Sequence, residues 1–381
     1  MKITQVAQLV NDATKEILGE NAIATEDLTN VVEIGEQIAN ANLYDKFVGA
    51  LVNRIARTIF SIRKYTGRAP SVLMDSWEFG SIVQKVHMKL PEGEDNESWE
   101  LVDGATYEEN QFYKPSVSVK IWNSKTTFEI PISIAEVQLK QSFLSGEEMG
   151  RFVGMLYQAV ENSLTLKVDA LVMRTICNFI GATLQDGTTG THVVKLLTEY
   201  NANYGASLTA ATAIYNKDFL RYVAFRMKQV ASRLSVYSTL FNLGGTEKHT
   251  PREDLKIVML DVVDAGVTTF LQSDTFHEEL VKLPQADVVP FWQGSGTSFA
   301  LADTSSIDVK VKDSIDGSVH SVSGSYIVAV MFDRNALGVT AMNKRTTSKY
   351  NAKAEFYNYW YKEDAGYFND YNENFVVFLA D

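Results

Sequence analysis

The chain has 381 residues, of which 45% are hydrophobic and 22% charged, a globular balance that excludes a disordered tail protein. Its 35 basic and 47 acidic side chains leave a formal charge of −12, which argues against binding a nucleic-acid backbone as a main role. No apolar run reaches the roughly 18–20 residues that span a bilayer, and the single cysteine, Cys177, allows no internal disulfide.

Along the chain, the opening stretch MKITQVAQLVNDATKEIL lacks the unbroken apolar core of a secretory signal, so a protein kept in a reducing compartment is expected. Ile3, Val6, Val10, Ala13 and Ile17 predict a helix over 3–18 that Gly19 closes, and Leu43, Phe47, Leu51, Ile55 and Ile59 predict a second over 43–60. No acid occurs from Asn53 to Arg68, which makes a local basic segment on an acidic protein. Ile82, Gln84, Val86, Met88 and Leu90 then alternate with Val83, Lys85, His87 and Lys89, the period of a half-exposed strand. Residues 92–110 hold eight acids and no Lys or Arg. Alternation resumes at Val117, Val119 and Ile121, and again at Thr126, Phe128 and Ile130. The pattern predicts a long two-stranded ribbon with an acidic connection. Such a ribbon is marginal alone in water and needs a surface to lie on.

Pro131 is expected to end the strand region, with Ser133 and Glu136 as a capping box for a short helix. A second box, Ser145 with Glu148, opens a helix whose stripe of Leu156, Val160, Leu164, Leu171, Ile176 and Ile180 runs to a stop at Gly181, about 50 Å in all. After the linker GATLQDGTTG, residues 182–330 read as an α/β unit. It has helices at 191–203 and 216–235, strands around 257–260, 307–311 and 326–332, and a hairpin signal at Asp316–Gly317. The tail at 354–379 is β-rich, with ten aromatic residues between 355 and 378 and a turn expected at Asp364–Ala365–Gly366.

Reacting groups at usable spacing are scarce. No GxxxxGK[ST] occurs, GSG at 294–296 lacks the third glycine of a dinucleotide site, and His277–Glu278–Glu279 lacks the second histidine of a zinc helix. The five histidines lie far apart in sequence, and Ser61–Ile62–Arg63–Lys64 matches a serine–lysine pattern only as any short string would. Cys177 reads as a buried helix cysteine rather than a nucleophile. Asp364 and Asp370 form a carboxylate pair or two separate turn and solvent groups, the latter favoured. The residues therefore point to no catalytic, cofactor or metal site.

Charge points elsewhere. The basic segment (Arg54, Arg57, Arg63, Lys64) and the stretch Lys344, Arg345, Lys349, Lys353 stand either as solvated faces or as contacts. In the second reading Arg54, Arg57, Arg63 and Lys64 meet Glu92, Glu94, Asp95, Glu97 and Glu100 of another copy, a complementarity that fixes register more than affinity. Apolar ribbon faces that need covering point the same way, and the cheapest partner is another copy.

The order of parts — arm, ribbon before a very long helix, α/β domain, return through strands — resembles tailed-phage major capsid proteins of the α+β Hong Kong 97-type fold. The wording of MKITQVAQLV, APSVLMDSWEFGSIVQK, FYKPSVSVK, KTTFEIPIS, LKVDALVMRTI, VMFDRNALGV and NAKAEFYNYWYKEDAGYFNDYNENFVVF is similar to capsid proteins of gut-bacterial phages. The similarity to small short-tailed Bacillus phages is looser. The resemblance implies an N-arm at 1–40, an extended loop (E-loop) at 64–128, an axial domain at 182–335, and a peripheral domain built from 41–63, 129–181 with its spine helix, and 336–381. It implies self-assembly into hexamers and pentamers of an icosahedral or prolate shell around double-stranded DNA, with no enzymatic activity and no cofactor. The expected setting is the virion capsid, after synthesis in the bacterial host cytoplasm. The expected partners are other copies, portal and scaffolding proteins, decoration proteins, and DNA held non-specifically on the inner face, with no membrane. A chain ending near its last strand leaves no room for a decoration domain, and a separate scaffold is expected. Lys64 and Asn351 have the residue types of an isopeptide crosslink, but no specific match supports a bond. The rival readings are an encapsulin-like nanocompartment shell and a cytosolic α/β enzyme.

Overall fold

The computed structural model describes residues 11, 68–74, 83–91, 93, 95–107, 110, 112–135, 146–272, 286–293, 301–312, 318–354 and 356–381. The helices expected over 3–18 and 43–60, the turn at Gly294–Gly296 and the zinc-like string at His277 lie outside these residues, apart from Asn11. In chain order the elements are β1 (Val83–Met88), β2 (Val117–Trp122), β3 (Lys125–Ala135), α1 (Gly146–Asp186), β4 (Val193–Lys195), α2 (Leu196–Tyr204), α3 (Ala210–Ala213), α4 (Lys217–Leu234), β5 (Leu255–Leu260), α5 (Asp261–Gln272), β6 (Ala286–Val289), α6 (Leu301–Thr304), β7 (Ile307–Lys312), β8 (Val319–Gly324), β9 (Ile327–Asp333), β10 (Leu337–Asn351), β11 (Phe356–Asn369) and β12 (Phe375–Leu379). The chain divides into two compact units, one of residues 1–77, 125–174 and 339–366, the other of 78–124, 175–338 and 367–381.

In the first unit, β3 lies at the edge of a three-stranded sheet ordered β10-β11-β3. Pro131 does not end this strand. It sits opposite Trp360, in an antiparallel register that runs from Ala135–Phe356 to Lys125–Gly366. An edge strand tolerates a residue without an N–H, because its outer side needs no ladder bond. Ser133 therefore stays in the strand, where its hydroxyl donates to Asn358 Oδ1 at 2.6 Å, and it caps no helix. The same register corrects the turn expected at Asp364–Ala365–Gly366: these residues pair with Thr127, Thr126 and Lys125 inside β11. Tyr357, Tyr359 and Tyr361 alternate inward and are buried, which accounts for three of the tail aromatics. Burial alone pushes the Tyr361 phenol far above its ordinary range.

Part of the basic sequence is used internally here. Arg68 holds Asp169 of α1 through its Nε (2.7 Å), a second guanidinium nitrogen (2.6 Å) and its own backbone N–H (3.0 Å). Lys344 pairs with the fully buried Glu363 at 3.2 Å, and Arg345 grips Asp364 at 2.6 and 3.1 Å. Asp364 thus faces Arg345 and Thr127, while Asp370 has lysine partners in the other unit, so the two do not form a carboxylate pair.

The second unit is built on a five-stranded mixed sheet ordered β4-β12-β9-β5-β6. All residues of β9 and β12 are buried, as expected of strands covered on both faces. The last strand lies inside this sheet, parallel to β4 and antiparallel to β9, rather than with the strands of the three-stranded sheet. Phe375 stacks on Phe179 of α1 (4.0 Å between ring centres) and on Phe332 of β9 (5.7 Å).

The long helix exceeds its expected end. α1 spans 41 residues and passes through Gly181, which serves packing rather than termination. A Cβ on Gly181 would lie 2.5 Å from Val309 Cγ2 and 2.8 Å from Val311 Cγ2, and one on Gly324 would lie 2.4 Å from Leu184 Cδ1. Both glycines let the β7–β8 hairpin lie directly on α1, and that hairpin forms as its sequence signal predicts. Cys177 is buried, its thiol 3.5 Å from the Trp292 carbonyl oxygen. Such an enclosed apolar setting keeps a cysteine inert.

Candidate assembly surface

The ribbon is the antiparallel pair β1–β2, with Val83 opposite Trp122, Lys85 opposite Lys120, Val86 opposite Val119 and Met88 opposite Val117. It is shorter than the sequence suggests, because the third alternating run, at Thr126, Phe128 and Ile130, pairs with β11 instead. Residues opposite each other share a face. One face therefore carries Val83, Trp122, Lys85, Lys120, His87 and Ser118, and the other carries Gln84, Ile121, Val86, Val119, Met88 and Val117.

The polar face is the inward one. Lys85 Nζ lies 3.1 Å from Asp370 Oδ2 and 3.7 Å from Glu373 Oε1, and it donates to the Asn335 carbonyl oxygen. Lys120 Nζ lies 3.3 Å from Asp370 Oδ1. Lys248 adds a third cation, 3.0 Å from Glu373. The Trp122 indole N–H donates to the Asn369 carbonyl oxygen at 3.1 Å, and its ring packs 5.5 Å from that of Phe368. Lys85 Nζ lies over both rings, at 5.6 and 5.1 Å. Two lysines directly opposite each other repel, and a carboxylate with one oxygen toward each removes that cost. A cleft of about 260 Å³ remains among these groups.

The aliphatic face points out. Val86 is 64% exposed, Ile121 62%, and Met88, Val117 and Val119 each at least half. Toward the tip, Trp99 is 95% and Phe112 84% exposed, with Leu101, Val102 and Tyr113 also open. The tip has its own local order: Glu97–Trp99 forms a short 3-10 turn, Asn96 Oδ1 accepts from the Ser98 N–H at 2.8 Å, and the Tyr107 hydroxyl accepts from the Val102 N–H at 3.0 Å. Val86, Met88, Val117, Val119 and Ile121 thus form an exposed aliphatic stripe on one face of the ribbon, the kind of surface that interaction sites present.

Of the expected contact residues, Asp95 and Glu100 are exposed on this connection and Glu97 lies in its 3-10 turn. Arg54, Arg57, Arg63, Lys64, Glu92 and Glu94 fall outside the described residues. The lysine–carboxylate clasp was missed in the sequence, since Lys85 and Asp370 are 285 positions apart. The alternation of Val86 and Lys85 was the one available signal, and it does not say which face turns inward. Among the described residues no group of three or more metal-ligating side chains occurs, and no helix is long and apolar enough to cross a membrane. A second cleft, of about 400 Å³, is lined by Gln293, Asp308, Ser306 and Ser323 among others, with no imidazole or amine among its described lining residues.

Residues 9–379 match the model of the Phi29-like phage major capsid protein family. The chain belongs to that family. A chain in the capsid structure of Staphylococcus phage Andhra is similar to this capsid protein with a TM-score of 0.52 at 11% identity, over 84% of this chain and 86% of that one. A chain in the structure of head fiber and inner core protein gp22 of native bacteriophage P68 gives 0.51 at 10% identity, again over 84% and 86%. At such identities the likeness concerns the fold, which is the α+β, Hong Kong 97-type architecture expected from the order of parts. No curated protein sequence matches the chain. It is a shell-forming structural protein of the virion capsid, and its first partners are copies of itself.

Proposed function

We propose that this capsid protein forms the hexamers and pentamers of a closed icosahedral or prolate shell around packaged double-stranded DNA, and that it catalyses no reaction. One observation carries the reading. The ribbon presents its aliphatic face to solvent while its charged face is held by its own unit. A half-exposed aliphatic side chain gains on the order of 1 kcal/mol on burial, so five of them favour a covering surface on a neighbouring copy.

In this reading 83–122 is the stem and tip of the E-loop (64–128), residues 1–40 are the N-arm, 182–335 the axial domain, and the remainder the peripheral domain. The exposed Asp95 and Glu100, with Glu92, Glu94 and Glu97, meet Arg54, Arg57, Arg63 and Lys64 of the adjacent copy. Scaffolding, portal and decoration proteins complete the particle, which is assembled from chains made in the host cytoplasm, and an acidic chain of net charge −12 keeps DNA from adhering to the wall.

The test is Val86→Ser with Val119→Ser, which keeps the strand pairing and the inner clasp but removes the centre of the outer stripe. Electron microscopy and size-exclusion chromatography should show folded subunits that form few or no shells. Shells formed at the normal yield would overturn the ribbon's role.

A further inference from the structure

We infer that Asp370 is the positioning residue that decides which face of the ribbon is offered for assembly. The inference rests on the reading of the outer stripe as an inter-subunit contact and goes beyond it, to what holds that stripe outward. A ribbon with aliphatic side chains on one face and lysines on the other has two ways to lie on its own unit. Burying the aliphatic face would satisfy the hydrophobic effect within one chain and leave nothing for a neighbour. The observed arrangement is the opposite one, so something specific must favour it.

Asp370 fits that role on three counts. Its carboxylate is almost fully buried, with 4% side-chain exposure, and divides its oxygens between Lys85 and Lys120. These two lysines come from different strands and face each other in register, so one acid fixes both strands at once. Its position is itself held: the Asp370 N–H donates to the Ala336 carbonyl oxygen at 2.7 Å, and Oδ1 accepts from the Asn372 N–H at 3.2 Å. Glu373, 3.7 Å from Lys85 and 3.0 Å from Lys248, ties the same group to the loop around residue 248. A buried carboxylate that lost its lysines would be strongly disfavoured, so flipping the ribbon carries an electrostatic cost that opposes the gain from burying its aliphatic side. The clasp thus acts by negative preference, keeping the sticky face from being spent on its own chain.

The decisive substitution is Asp370→Asn in the full chain. Asparagine retains an oxygen for the Asn372 N–H, so the turn survives, but it cannot balance two ammonium groups. Three measurements on the purified subunit separate positioning from general stability. Hydrogen exchange across 83–91 and 112–122 should accelerate about tenfold or more, while exchange in β5, β9 and β12 stays unchanged. In the unaltered protein the same ribbon exchange should quicken as salt is raised, and the variant should lose that salt dependence. Shell assembly should slow in the variant and recover at least in part with Asp370→Glu. Unchanged ribbon exchange in Asp370→Asn, or slow assembly without recovery in Asp370→Glu, would sink the inference. The reading of the stripe fails separately, through normal shells from Val86→Ser with Val119→Ser.

Discussion

Gly181 shows how a single missing side chain shapes the second unit. Its hydrogen stands where a methyl would press on the branched side chains of Val309 and Val311, which have few rotamers to retreat into. Gly181→Ala gains about 1 kcal/mol of helix propensity and meets an overpacking cost of about 1–3 kcal/mol. The expected balance is a net loss of up to about 2 kcal/mol, read as a lower urea midpoint; a higher midpoint would show that the hairpin yields freely. His192 provides a second residue-scale test. Burial pulls its pKa below the ordinary 6.5, with the Asn242 backbone working weakly against that. Its Nδ1 accepts from the Thr188 N–H at 3.1 Å, and its carbonyl accepts from the Val377 N–H of β12. Because the folded pKa is lowered, this contribution to stability is complete above about pH 6.5 and is lost as pH falls through the folded value. Urea midpoints should drop between pH 7.5 and 5.5, and His192→Gln should flatten the slope.

At the scale of elements, periodicity located β1, β2, β3, β5, β7, β9, α1 and α4, while β6, β10 and α5 went unread and the helix expected over 191–203 opens instead on the strand β4; it did not say what any of them touch. The alternations at 83–88 and 117–122 mark β1 and β2 correctly, and the signal at Asp316–Gly317 sits between the strands of a real hairpin. Three local signals misled, each for a physical reason. Pro131 reads as a stop, but an edge strand has no use for its N–H. Asp364–Ala365–Gly366 reads as a turn, but eleven consecutive pairings with β3 outweigh a weak local preference. Gly181 reads as a helix end, but its partner is a hairpin more than a hundred residues away. The assembly surface was half legible. Alternation announces that the ribbon has two unlike faces, and only the fold brings Asp370 and Glu373 to the lysine side and so reveals which face stays open.

For the whole molecule, the prediction concerns particles rather than folding. The connection at 92–110 carries eight acids, and the exposed Trp99, Leu101 and Val102 lie within it. Among its described residues the hydrogen bonds run from Ser98 N–H to Asn96 Oδ1, from Val102 N–H to the Tyr107 hydroxyl and from Ala105 N–H to the Val102 carbonyl, all within the tip. Replacing 92–110 with a short glycine–serine turn should leave circular dichroism and thermal unfolding nearly as they were, since none of the segment's described residues is buried. It should abolish or strongly reduce shells seen by electron microscopy. A collapse of the fold would place the connection in the stability of the subunit instead, and shells at ordinary yield would remove it from assembly altogether.

The location of β12 has a bearing on timing. Phe375–Leu379 is not a trailing strand at the margin but an interior one, between β4 and β9, and Lys195 of β4 and Thr198 of α2 bond to Asp381. During translation residues up to 379 must therefore emerge from the ribosome before the five strands can join. Until then β4 and the β9-β5-β6 group have no common neighbour, and domains generally complete as units once their segments are available. A nascent chain is thus kept from closing this sheet, and from offering a finished subunit to its neighbours, until β12 is in place.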